Sequence, residues 1–226
     1  MSELKNDKLA YLLKIVVENY VEKWEPVGSK FLHTLEVLDF APSTLRKYLN
    51  ILEKEGLVYQ SYSNSGRIPT IEGMSKYLDE IINQEDQKVY DIELNQTRIS
   101  LKYIVEQISS ITDGAVVWLL ENDEYYYLGI NNLLKDAINQ DEYNITKEIV
   151  KLIEQREIIV FLNKRIVKKN QVYYTFIWEE NSLISCLYCK IDINWYDAII
   201  AILGSMRVDY EKNCRILQTV LRMIWV

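Results

Sequence analysis

The chain has 226 residues, 49% hydrophobic and 26% charged, which is the composition of a folded globular protein with room for one large or two small domains. Its net charge of -7 excludes indiscriminate nucleic-acid binding, so any contact with DNA has to come from a local basic patch. No apolar run reaches the roughly 18 residues a membrane span needs; the start, "MSELKNDKLAYLL", carries acids and no small-residue cleavage site, and a cytoplasmic protein with no membrane partner is expected.

In chain order, the first signal is helical. Leu9, Leu12, Leu13, Val16, Val17 and Tyr20 recur at the i, i+3, i+4 spacing of an amphipathic helix. Pro26 and Gly28 break it, and Ser29 is the expected N-cap of a second helix. A third starts near Pro42 and ends at Gly56. Its face of Leu45, Tyr48, Leu49 and Leu52 is apolar, while Ser43, Arg46, Lys47 and Asn50 form a second stripe turned away from it. Such a stripe offers hydrogen-bond donors to a major groove, although a solvated polar face has the same pattern.

The stretch "LVYQSYSNSGRIPT" alternates, turns at Asn64-Ser65-Gly66 and returns as a short strand stopped by Pro69, the pattern of a hairpin. Three helices and a tight hairpin are the order of a winged helix-turn-helix. Arg67 is expected at the tip of the wing, within reach of a phosphate or the minor groove. Thr70 is the expected N-cap of a fourth helix. Residues 1–80 hold ten basic and twelve acidic side chains, but residues 42–70 carry a local +2.

After the polar stretch "NQEDQKVYDIE" the helix signal resumes in "LNQTRISLKYIVEQISSIT". Strands are expected at "AVVWLL", "YYYLGI", "EIIVFL", "VYYTFIW", "LISCLYCKI" and "AIIAIL", with helices at "YNITKEIVKLIEQ" and "YEKNCRILQTVLRMI". That mixture predicts an α+β domain built on one sheet. Its many aromatics, Trp118, Trp178, Trp195 and the run Tyr125-Tyr126-Tyr127 among them, suit either a core or a binding surface.

Little supports catalysis. The only histidine, His33, reads as a helix-surface residue, and seven glycines build no phosphate loop. Cys186 and Cys189 have the C-x-x-C spacing, but on a strand such positions face opposite sides, and with Cys214 they read as buried small hydrophobes. No catalytic, cofactor or metal residue is assigned.

The stretches "ENYVEKWEPVGSKFL", "APSTLRKYLNILEKEGLV", "SGRIPTIEGMSKYLDEI", "YYYLGINNLL" and "AIIAILGSMRVDYEKNCRILQTV" together resemble the heat-inducible transcription repressor HrcA family over nearly the full length. The resemblance implies a winged helix-turn-helix domain over 1–82, a linker over 83–95 and a GAF-like regulatory and dimerisation domain over 96–226. It also implies a homodimer on an inverted-repeat operator of double-stranded DNA, repression of chaperone operons and feedback from the chaperonin. The expected DNA-binding residues are Ser43, Thr44, Arg46, Lys47, Asn50 and Arg67.

Three departures qualify the resemblance. Lys47 and Tyr48 stand where the family has Asn and Asp, which predicts a different half-site, and Ser205 replaces a proline. Most of the inserted dimerisation segment is missing, which predicts a weaker or differently built dimer. Two other functions stay open at this point: a regulator switched by a small molecule in the second domain, and a winged helix used for protein contacts alone.

Overall fold

The computed structural model describes residues 2–35, 40–84, 101–120, 124–135, 140–165, 168–179, 182–193 and 196–224. The chain divides into two compact units, Met1–Gln84 and Glu85–Val226. Of the expected linker, 85–95 lie outside the described residues, as does Trp195.

In the first unit α1 (Ser2–Lys23) buries Leu9, Leu12, Leu13, Val16 and Val17, the stripe the spacing predicts. It stops where Trp24 turns left-handed at φ 55, with its ring stacked on Tyr20 at 4.8 Å. The next helix, α2 (Ser29–Thr34), is capped by extended Gly28; Ser29 is its first residue and is buried, a correction to its expected role as the cap. Proline at N1 opens α3 (Pro42–Lys54), where its missing N–H costs nothing, and the helix buries Leu45, Leu49 and Leu52. Gly56, at φ 74, then releases the chain into β1 (Val58–Tyr59).

β1 pairs antiparallel with β2 (Ile68–Pro69) in the register Val58↔Pro69. The hairpin between them turns at Asn64, which adopts φ 68. Thr70 caps α4 (Ile71–Asn83) as expected: its Oγ1 accepts from the Gly73 amide at 3.0 Å and donates to the Gly56 carbonyl at 2.7 Å. Met74, Tyr77, Leu78 and Ile81 of α4 complete the core.

The second unit opens with α5 (Leu101–Ile111) and then β3 (Ala115–Leu120), β4 (Tyr125–Leu128), α6 (Ile130–Lys135), α7 (Gln140–Glu154) and α8 (Glu157–Asn163). It closes with β5 (Val172–Glu179), β6 (Ser182–Ile193), β7 (Tyr196–Gly204) and α9 (Tyr210–Ile224). The five strands form one antiparallel sheet in the order β4-β3-β7-β6-β5. The fold is mixed helix and sheet, α+β. Alternate residues supply two buried faces. Ala115, Val117, Ala201, Leu203, Cys186 and Tyr188 pack with Ile149, Ile153, Ile158 and Leu162 of α7 and α8. Val116, Ile200, Ile202, Leu187 and Cys189 point the other way and are also buried. Cys186 and Cys189 therefore lie on opposite faces, as the strand spacing predicts.

One predicted strand is a helix. "EIIVFL" folds as α8, with Ile158, Ile159 and Leu162 buried and Val160 53% exposed, a one-sided burial that a strand would not give. Left-handed Arg156, at φ 64, separates it from α7.

Candidate nucleic-acid interface

The second stripe of α3 faces solvent. Ser43, Arg46, Lys47 and Asn50 are exposed and Thr44 is half-buried, while Leu45, Leu49 and Leu52 beneath them are 0–3% exposed. A 3.6-residue repeat with Leu45, Leu49 and Leu52 at the fully buried positions dictates this division. Arg46 and Lys47 make no ion pair among the described residues, and Lys54 continues the stripe at the helix end, next to exposed Glu55. Tyr48 is half-buried with its ring 5.5 Å from Phe40, so of the two departures from the family pattern only Lys47 lies on the outward stripe.

Arg67 is not at the hairpin tip. That tip comprises Ser61, Tyr62, Ser63 and Asn64, all exposed and none charged, with Tyr62 at 69%. Arg67 sits at the base of the hairpin and is 8% exposed. Its backbone exchanges two hydrogen bonds with Val27, amide to carbonyl at 2.8 and 2.9 Å. The reason is close approach: Gly66 lies against Pro26, and only a residue without a Cβ fits there. So the "EPVGS" and "SGRIPT" stretches meet in space as an added bridge beside the hairpin.

The Arg67 side chain then runs inward to α3. Its Nη2 donates to Glu53 Oε2 and to Asn50 Oδ1, both at 2.9 Å. Reading the sequence missed Glu53 as the partner that neutralises Arg67. The signal was available, since Glu53 falls three residues after Asn50 and extends the same helix face with an acid. With Arg67 paired, the outward positive charge of α3 rests on Arg46, Lys47 and Lys54.

Among the described residues no group of three or more His, Cys, Asp or Glu side chains is placed to hold a metal ion, and no helix is long and apolar enough to cross a membrane.

A solved crystal structure of a hypothetical protein shares this fold with a TM-score of 0.74 at 16% identity, covering 96% of this chain and 97% of that one. The heat-inducible transcription repressor HrcA of Onion yellows phytoplasma (strain OY-M) is 40% identical over 85 residues, 38% of this chain and 25% of that protein. The repressor of the same name from Ruminiclostridium cellulolyticum (strain ATCC 35319 / DSM 5812 / JCM 6584 / H10) is 22% identical over 169 residues, 75% of this chain and 47% of its own. The chain thus spans about a fifth to a half of the length of the curated relatives it matches, and they are named as transcription repressors, which is not an enzyme class. The model of the HrcA protein C-terminal domain matches residues 69–213, well over half of the sequence, and the chain belongs to the HrcA family.

Proposed function

We propose that the chain is a sequence-specific DNA-binding repressor of heat-shock (chaperone) operons. Its first unit acts as a winged helix-turn-helix, with α3 as the recognition helix and the β1–β2 hairpin as the wing. The domains of this reading are 1–82 for the winged helix, 83–95 for the linker and 96–226 for a GAF-like regulatory and dimerisation domain. Ser43, Thr44, Arg46, Lys47 and Asn50 face the groove, and Arg67 shapes the interface from beneath. The observation that carries the reading is the stripe on α3: exposed donors on one side, a fully packed leucine face on the other. Selection of bound duplexes from a random pool tests it, and failure to enrich any sequence at low salt rejects it.

Three outward cations on α3 make few phosphate contacts, so one copy binds weakly. Two linked copies gain through effective concentration, and a two-fold dimer demands an inverted-repeat operator. We place the dimer contact at β5, one of the two outer strands of the sheet. It carries no charge from Val172 to Trp178, and Trp178 is 63% exposed, so it lacks the lysines that guard most sheet edges. The chaperonin is the proposed modulator, on the strength of the family resemblance: heat opens the dimer, the exposed apolar edge is bound, and the operator is released. Gel shifts at rising temperature, with and without chaperonin, test that step.

A further inference from the structure

Arg67 Nη2 has two acceptors at 2.9 Å, Asn50 Oδ1 and Glu53 Oε2. A guanidinium only donates, so the end of the Asn50 amide that faces it has to be the carbonyl oxygen. Chemistry therefore fixes the amide orientation. The oxygen is committed to a buried cation, and Nδ2 with its two hydrogens is the end left over. Asn50 is exposed on the α3 stripe with Ser43, Arg46 and Lys47, and its Nδ2 has no partner among the described residues.

We infer that Asn50 reads a base as a donor only, and that Arg67 imposes this by holding the amide oxygen, as a positioning residue that does not itself touch DNA. The inference rests on the DNA-binding reading above. An asparagine free to present both ends pairs with adenine at two points, giving a hydrogen to N7 and accepting one from N6. The oxygen has a second lone pair, but with the amide oriented by Arg67 its two ends no longer line up on one base edge, so Asn50 gives a hydrogen and takes none. Its targets are then the acceptors of the major groove, N7 of either purine, O6 of guanine or O4 of thymine, and cytosine, which shows a donor there, is rejected. Glu53 keeps the arrangement in place, because a guanidinium at 8% exposure needs a counter-charge. For Arg67 to reach a phosphate its guanidinium would have to leave Asn50, Glu53 and the Ser65 carbonyl while its backbone stays bridged to Val27.

The test uses the full chain and the site it selects from random duplexes. Affinity for that site and for random DNA is measured across a salt series for the wild type, Asn50→Ala, Asn50→Asp and Arg67→Met, after thermal melts establish that each folds. Asn50→Ala should lose about 5- to 100-fold at the selected site, little on random DNA, and keep the salt slope. Asn50→Asp keeps an acceptor for Arg67 but has no hydrogen to give, so it should lose at least as much. Arg67→Met releases the amide, so the base preference opposite residue 50 should broaden or move toward adenine, with the salt slope of the wild type. Should Arg67→Met fail to fold, the double variant Arg67→Met with Glu53→Gln, which leaves no carboxylate stranded, carries the same readouts. A salt slope lowered by about 1 in the Arg67 variant makes it a phosphate contact and overturns the inference. Strict adenine preference in the wild type, or equal losses of Asn50→Ala on both DNAs, overturns it too. A wild type that selects no sequence rejects the DNA-binding reading itself, whereas selection unchanged by Asn50→Ala rejects the inference alone.

Discussion

Gly66 sits against the backbone of Pro26 so closely that a Cβ added to it would stand 2.3 Å from the Pro26 carbonyl oxygen. Nothing flexible lines that contact, since the neighbours are backbone atoms of Pro26 and Val27. The pair of hydrogen bonds between Val27 and Arg67 depends on it.

Gly66→Ala should therefore destabilise the first unit by about 1–3 kcal/mol, the usual cost of overpacking. Urea unfolding followed by far-ultraviolet circular dichroism reads the loss. Gly28→Ala is the control, because nothing lies within 4 Å of a Cβ there, and its cost should be smaller. Equal costs would mean that the hairpin base yields freely.

Arg46→Ala removes from the outward stripe an exposed guanidinium that makes no ion pair among the described residues. Binding at the selected operator should weaken by about 1–3 kcal/mol, and preference should relax at one base pair. The comparison is with random DNA: a loss of the same size there assigns Arg46 to phosphate anchoring.

Trp178→Lys places a charge on the outer strand where the tryptophan is exposed. Sedimentation should show the dimer shifting toward monomer while the melting temperature stays within a few degrees of the wild type, as expected for a surface change. A dimer that persists unchanged moves the contact elsewhere.

Burial pushes the Cys186, Cys189 and Cys214 thiols up to about 12 from an ordinary value of 9.0. In the unfolded chain they lose their protons first, so the stability linked to them is complete below pH 9. It falls as pH rises from there toward 12, by about 1.4 kcal/mol per pH unit for each thiol. Urea midpoints should hold level up to pH 9 and drop beyond it. At about pH 8 a thiol reagent should find no reactive cysteine until denaturant is added, when it should find three.

The helices with one-sided leucine spacing were legible in the sequence because burial of such a face is a local property of 3.6-residue repeats. So were the five strands β3 to β7. "EIIVFL" misled because nearly every residue is apolar, so periodicity vanishes and propensity favours a strand. What decided it was the core of the second unit, which takes Ile158, Ile159 and Leu162 from one side and leaves Val160 outside. Arg67 was misplaced for a related reason. The turn residues marked the hairpin correctly, with Asn64 left-handed, but the strand ends were set by Val27, a partner remote in sequence. Local chemistry cannot name such a partner, nor could it name Glu53.

The division of labour on α3 has an evolutionary consequence. Ser43, Arg46 and Lys47 are exposed on α3, so under the proposed DNA-binding reading substitutions there would redirect the protein to a new operator at little cost in folding. Asn50 is different. It shares a buried cation with Glu53, so a change at that position is felt by the hairpin base as well as by the groove-facing stripe. On that reading, three positions along one helix are free to drift with the operator, and the fourth is tethered to the architecture. Divergence of operator preference among close relatives should accumulate at the first three before it reaches the fourth.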